Sequence, residues 1–67
     1  MSKSYDRGYE IGYKDGKAGR SKVNARHLWE GIKNSLNPLG SVDEFVKGYN
    51  EGYRIGERDR NREKDKS

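Results

Sequence analysis

The chain has 67 residues and a mass of 7.7 kDa, contains no cysteine, and carries a formal net charge of +4 with 39% charged residues. A chain this short buries only about 60% of its unfolded surface, which leaves little room for an enclosed catalytic cleft and argues against an enzyme. Without cysteine it has neither a disulfide framework nor a thiolate metal site. No uncharged run is long enough for a membrane span, so we expect one small cytoplasmic domain covering residues 1–67.

The first predicted helix, over residues 5–19, contains a row of tyrosines and glycines that recurs forty residues later. Spacings of three and four residues place each copy on one face of a helix, whereas a strand would mix these residues with charges on both sides. The two copies predict an all-α fold with helix-packing positions at Tyr5, Gly8, Tyr9, Gly12, Tyr13 and Gly16 and at Phe45, Gly48, Tyr49, Gly52, Tyr53 and Gly56.

Three glycines in one helix need a compensating gain, because each costs about 1 kcal/mol relative to alanine. Close approach of a second helix supplies it, since tyrosine rings can then lie over bare backbone. We therefore expect each copy to pair either with the other copy, as a small helical hairpin, or with the same helix of a second chain. Stacking of the tyrosines on nucleic-acid bases is the alternative.

A second amphipathic helix is predicted over residues 23–35, between the two copies. Its apolar positions recur at helical spacing, and Asn37, Pro38 and Gly40 end it. Two roles remain open for this stripe, which either completes the monomer core or forms a partner interface in a homodimer. Its members are Ala25 and, as interface candidates, Leu28, Trp29, Ile32 and Leu36.

Local signals place the ends of the helices. Ser4 is a candidate cap for the first helix, and Gly19 is a candidate stop. Ser41 and Glu44 have the spacing of a capping box, in which each side chain bonds the other residue's amide, and they open a third helix over residues 42–60. Residues 61–67 hold no apolar side chain, so we expect a frayed tail.

Charge is concentrated on the two copies of the repeat. Residues 1–22 carry six basic and three acidic side chains, and residues 45–67 carry seven and five, which favours contacts with phosphate. Antiparallel pairing of the copies would put the two basic groups at opposite ends of the molecule. His27 has no carboxylate or cysteine at ligand spacing, so we expect no metal and no cofactor.

The stretch Gly12–Lys22, which reads Gly-Tyr-Lys-Asp-Gly-Lys-Ala-Gly-Arg-Ser-Lys, resembles the small bacterial ribosome modulation factor family. The segment Phe45–Tyr49 resembles that family's second element. The resemblance implies two packed helices that bind the small ribosomal subunit through ribosomal RNA and inactivate the ribosome. It also implies that Arg20, Ser21 and Lys22 face the RNA.

Two functional hypotheses follow for a bacterial or phage protein. The first is a small basic RNA-binding protein that modulates or inactivates the ribosome, with phosphate contacts from the basic side chains of both copies. The second is a phage-type protein-binding inhibitor or adaptor that blocks a host protein complex through its charged face or the Trp29 stripe. The candidate RNA-binding residues of the first hypothesis are Arg20, Ser21, Lys22, Arg58, Arg60 and Arg62.

Overall fold

The computed structural model describes residues 3–36 and 40–65, and this part of the chain is all-helical, with three helices and no strand. Helix α1 spans Lys3–Ala18, α2 spans Ala25–Leu36 and α3 spans Val42–Asp65. The predicted stop at Asn37 and Pro38 lies outside the described residues, as do the last two residues of the predicted tail.

Helices α1 and α3 run parallel, so the expected hairpin is wrong. Residue numbers increase in the same direction along the two helices. Gly8 lies beside Phe45, Gly12 beside Tyr49 and Gly16 beside Tyr53. The connection explains this direction, because α2 has 12 residues and returns the chain over about 18 Å at 1.5 Å per residue. A short loop would instead have forced α3 to run back along α1.

The contacts between α1 and α3 are reciprocal. Just as the glycines of α1 lie beside the aromatic residues of α3, Gly48 lies beside Tyr5, Gly52 beside Tyr9 and Gly56 beside Tyr13. At each of these six glycines a Cβ atom would collide with a carbonyl oxygen of the other helix. The two copies of the repeat are therefore related by a pseudo-two-fold axis along the pair, and their backbones touch over three helical turns.

Ser4 extends the small-residue row of α1 by one turn instead of capping the helix. It lies inside α1, is fully buried, and its Oγ accepts a hydrogen bond from the Ser41 amide at 2.7 Å. The Ser41 amide is thereby occupied, and the expected capping box forms only in part: the Glu44 amide donates to Ser41 Oγ at 3.4 Å. Ser4 thus joins the start of α3 to α1.

The end of α1 confirms the predicted stop at Gly19, whereas the start of α2 differs from its predicted position. Gly19, at φ 75°, ends α1 with the Gly19 amide bonded to the Gly16 carbonyl and the Arg20 amide to that of Asp15, a Schellman motif. Helix α2 begins two residues later than predicted, because Asn24 caps it by accepting from the Arg26 amide.

Helix α3 continues well past residue 60, the predicted end of its ordered part. Tyr13 and Lys17 of α1 bond Asp59 and Glu63 of α3, which ties the polar last turns of α3 to its neighbour. The expected frayed tail therefore does not begin at residue 61.

Candidate functional site

The parallel arrangement brings the two basic segments of the chain toward one end of the molecule, whereas antiparallel pairing would have put them at opposite ends. A Cβ on Gly19, at the end of α1, would stand 2.8 Å from Nε of Arg60 in α3. Lys17 and Glu63 join the same two regions through an ion pair of 2.8 Å. We call this surface the basic end and define it by Arg20, Ser21, Lys22, Arg58, Arg60 and Arg62.

Only part of the charge at the basic end is neutralised. Arg20 pairs with Asp15 at 3.7 Å, and Arg58 contacts Asp59 at 3.8 Å. Within the part of the chain that the structure describes, neither Arg60 nor Arg62 makes an ion pair. The guanidinium of Arg60 lies along the Gly19 backbone, and Arg62 is exposed.

The linker between α1 and α2 places the remaining members of the basic end. Ser21 and Lys22 are exposed there, and the Tyr53 hydroxyl holds the linker by donating to the Arg20 carbonyl. Arg20 itself has a side chain 75% exposed. Arg20 thus lies near the C-terminal end of α1, whereas Lys22 has turned back along α3 and lines a groove with Lys47 and Asn50.

The aromatic residues of α3 form the first of two faces along this pair. We call it the covered face and define it by Phe45, Tyr49 and Tyr53, because α2 packs over it. Phe45 and Tyr49 are fully buried, and the ring of Trp29 lies 5.6 Å from that of Phe45. This face holds the core of the domain.

The hydroxyl of Tyr49, on the covered face, links α3 to α1 and to the linker between α1 and α2. The hydroxyl donates to Asp15 at 3.0 Å and accepts from the Val23 amide at 3.2 Å, so a side chain of α3 holds both α1 and the linker. Burial is the main cause that raises the pKa of Tyr49, because the ionised form would lose its water.

The second face carries the corresponding residues of α1, Tyr5, Tyr9 and Tyr13, and we call it the open face. The ring centroids of successive tyrosines are 6.4 Å apart, and the interplanar angles are 28° and 15°. Each tyrosine is partly exposed. The Tyr13 hydroxyl donates to Asp59 at 2.7 Å, and this hydrogen bond lowers the pKa of Asp59 and raises that of Tyr13. No helix of the described residues packs over the open face.

The stripe of α2 is turned toward the chain's own core. Leu28, Trp29 and Ile32 pack against the buried residues Ala25, Phe45 and Tyr49 and keep a partly exposed rim. The side chain of Leu36 lies outside the described residues. The structure thus places three of the four interface candidates in the monomer, where they cover the aromatic residues of α3.

Three residues that join the helices were not predicted to do so from the sequence: Ser4, Asp15 and Asp59. The role of Ser4 could have been predicted, because Ser4 stands four residues before Gly8 and so continues the small-residue row. Asp15 and Asp59 look like ordinary surface charges in the sequence. Their hydrogen bonds to tyrosine hydroxyls arise only from the parallel pairing.

Other chemistry is sparse in the described residues. They contain no group of three His, Asp or Glu side chains arranged to hold a metal ion. None of the three helices, over the same residues, has the length and apolar character to cross a membrane.

Comparison of the chain with protein-family models, with curated proteins and with solved structures finds no match. The resemblance to the ribosome modulation factor family therefore gains no support from these comparisons. It rests on the stretches Gly12–Lys22 and Phe45–Tyr49 alone.

Proposed function

We propose that this protein is a small RNA-binding protein that acts on the ribosome by docking its basic end on RNA of the small subunit. The observation that carries the proposal is the parallel pairing of α1 and α3, since it gathers two basic segments that stand forty residues apart. Basic groups at one end of the molecule can contact phosphates of the same RNA segment, with Arg60 on the Gly19 side of α3 and Arg58 and Arg62 on another side, because residues two apart on a helix point about 200° apart.

The chemistry of the basic end suits phosphate. Neither Arg60 nor Arg62 forms an ion pair with a described carboxylate, although Arg62 is close enough to Asp59 to help lower its pKa, so their guanidinium donors are available to a ligand, and arginine binds phosphate in a bidentate geometry. Arg60 is also held in place by the Gly19 backbone, which reduces the side-chain entropy lost on binding. The choice of the ribosome as target rests on the family resemblance of Gly12–Lys22.

The test is sedimentation of the full chain with ribosomal particles on a sucrose gradient, at rising salt and with or without nuclease. Wild-type protein should travel with the small subunit, and its binding constant should fall with salt by a log–log slope of about −0.7 per phosphate contact with single-stranded RNA. Arg62→Ala should weaken binding and reduce the steepness of that slope by about 0.7.

Lys47→Ala is the matched control, because Lys47 is an exposed basic residue of α3 located near the opposite end of the helix. It should leave both affinity and slope nearly unchanged. Equal losses in the two variants would mean that binding follows net charge alone. Failure of the wild-type protein to sediment with ribosomal particles at low salt would refute the proposed function.

A protein-binding inhibitor or adaptor is the second candidate function. It is favoured by the partly exposed rim of Leu28, Trp29 and Ile32, since tryptophan is enriched at the centres of protein interfaces. In this case one stoichiometric protein should remain bound after nuclease treatment. Its capture should depend on Trp29 and be insensitive to Arg62→Ala.

A further inference from the structure

We propose that the open face is a self-association surface on which a second copy of this chain docks antiparallel, α1 against α1, through Asp6, Tyr9, Glu10 and Lys14. The proposal goes beyond the function given above and does not depend on it, because the basic end lies outside this surface. Three observations carry it: the pseudo-symmetry of the fold, the shape of the open face, and the order of charges along its rim.

The pseudo-two-fold axis makes the open face the counterpart of a face that takes a helix. On the covered face, α2 packs over the rings of α3, and Val46, the residue beside the first ring, packs against the same core. The corresponding position on the open face is Asp6, which is exposed. The same arrangement of rings and glycines thus occurs twice, with an apolar rim where the chain's own helix covers it and a charged rim where none does.

The open face is shaped as a shallow strip along α1. Tyr9 and Tyr13 form one wall of a concave surface, and Asp6, Glu10 and Lys14 form the other. Because residues four apart follow one another up a helix, these two rows run side by side for two turns. A second helix laid along the strip would contact ring edges and charged side chains together.

The charges on the α1 side of the rim are self-complementary only when the second copy is antiparallel, and Glu51 on the α3 side is paired with Arg54 at 2.6 Å. Asp6 stands at one end of the strip and Lys14 at the other, with Glu10 midway between them. A two-fold axis at Glu10 places each Asp6 opposite the Lys14 of the other copy, which gives two intermolecular ion pairs. An interface of this isologous kind closes on itself and produces a dimer rather than a chain.

The one unfavourable contact in this arrangement is between the two Glu10 carboxylates, and their charges are already neutralised. Two Glu10 side chains approach each other at the axis, but each forms ion pairs within its own helix, with Arg7 at 3.2 Å and Lys14 at 3.6 Å. A parallel arrangement would be worse, because it would set Asp6 against Asp6 and Lys14 against Lys14. Since the strip is short, we expect a weak dimer with a dissociation constant on the order of 0.1 mM.

Charge reversal provides the first test, by sedimentation equilibrium of the full chain up to 1 mM. Asp6→Lys and Lys14→Asp should each weaken dimerisation at least tenfold, and the double variant should recover most of it because both ion pairs are rebuilt with opposite polarity. Lys33→Asp, on the exposed side of α2, is the matched control. Helical content by circular dichroism checks that each variant is folded, since Asp6 lies in the first turn of α1.

A cross-link provides the second test, which does not depend on the charge variants. The chain has no cysteine, so Glu10→Cys introduces a single thiol at the proposed axis. A disulfide requires Cβ atoms about 4 Å apart, so rapid formation of a covalent dimer reports this antiparallel register. Lys47→Cys, an exposed position on α3, should cross-link much more slowly under the same oxidation.

Four outcomes would overturn the proposal. They are a wild-type protein that is wholly monomeric at 1 mM, a dimer that neither single reversal weakens, a double reversal that fails to restore it, and equal cross-linking at residues 10 and 47. A monomer whose Tyr9 and Tyr13 resonances shift on addition of RNA would assign the open face to base stacking instead. None of these outcomes decides whether the basic end binds the ribosome, so the two proposals fail separately.

Discussion

The covered and open faces are formed by two copies of the same repeat but have different roles. On both, the backbone of a row of aromatic residues lies against the glycines of the partner helix, and these backbone contacts are equivalent. They differ at the rim, where Ile11 and Val46 flank the covered face and the corresponding Glu51 and Asp6 flank the open one. The glycine rows therefore determine how α1 and α3 pair, and a few rim residues determine which side receives α2.

The first ring of each row reinforces this division. Phe45 has no hydroxyl to satisfy, so it can be fully buried beneath Trp29. Tyr5 occupies the same position on the open face and retains partial exposure. An amphipathic helix that has a choice of two similar surfaces thus packs on the one with fewer polar groups to desolvate.

The largest expected effect comes from the glycines that both faces share. Gly12→Leu would drive a side chain into the Tyr49 carbonyl oxygen of α3, a rigid neighbour that can move only if the helices separate. Because a domain of this size has roughly 3–5 kcal/mol of stability, we expect loss of cooperative unfolding in urea and of most helical content by circular dichroism.

Gly31→Ala is the control for this prediction. Gly31 lies in α2 with nothing within 4 Å of a Cβ placed there, so the substitution should raise the free energy of unfolding by up to about 1 kcal/mol. If the urea unfolding curve of Gly12→Leu matches that of the wild type, α1 and α3 do not pack as closely as in the structure.

The next effect separates the two faces directly. Phe45→Ala removes a buried ring beneath α2 and should lower the free energy of unfolding by about 3–5 kcal/mol, which approaches the whole stability of the domain. Tyr5→Ala removes the counterpart ring on the open face, where part of the surface is already in water, and should cost less than half as much. Urea unfolding of the two variants measures the difference, and equal losses would mean that α2 does not distinguish the faces.

The pairing of the two repeat copies was predictable from the sequence because glycine inside a helix demands a close neighbour. The spacing of Gly8, Gly12 and Gly16 and of their counterparts identified which residues would touch. The direction was not predictable, because two copies of one row can interdigitate in either orientation. The length of the connecting helix decides it, and the positions of the basic segments depend on the same choice.

The positions of Ser4, Asp15 and Asp59 show the limit of reading residues one at a time. Each is polar and lies among charges in the sequence, yet each bonds a group on α3 or α1 once the helices are parallel. Their roles depend on tertiary register, which no local pattern reports. The basic end is an example of the reverse case, in which the residues were predicted and only their assembly was not.

A smaller loss of stability is expected from removing one tyrosine hydroxyl on each face. Tyr49→Phe removes a buried hydroxyl that donates to Asp15 and accepts from the Val23 amide, so we expect a loss of about 1–3 kcal/mol. Tyr13→Phe removes one hydrogen bond at the solvent-exposed open face and should cost less than Tyr49→Phe. Thermal unfolding at neutral pH measures both, and the reverse order would contradict the assignment of the core to the covered face.

The smallest effect is a change in titration at the open face. The hydrogen bond from Tyr13 lowers the pKa of Asp59 in the folded chain. The carboxylate therefore adds stability above its unfolded pKa of about 3.9, and this contribution is lost as the pH falls through the lower folded value. Tyr13→Phe should raise the pKa of Asp59 toward its ordinary value, which a carboxyl-detected NMR titration over about pH 2 to 6 can measure.

Glu51 is the internal control for that titration. Its pKa is also lowered, but the main cause is the hydrogen bond from Arg54 on the same helix, so Tyr13→Phe should leave it in place. A shift at Asp59 alone would show that the Tyr13 hydroxyl reaches across from α1 to α3. If both carboxyl groups moved together, the cause would be a general loosening of the open face, and the specific contact between Tyr13 and Asp59 would be refuted.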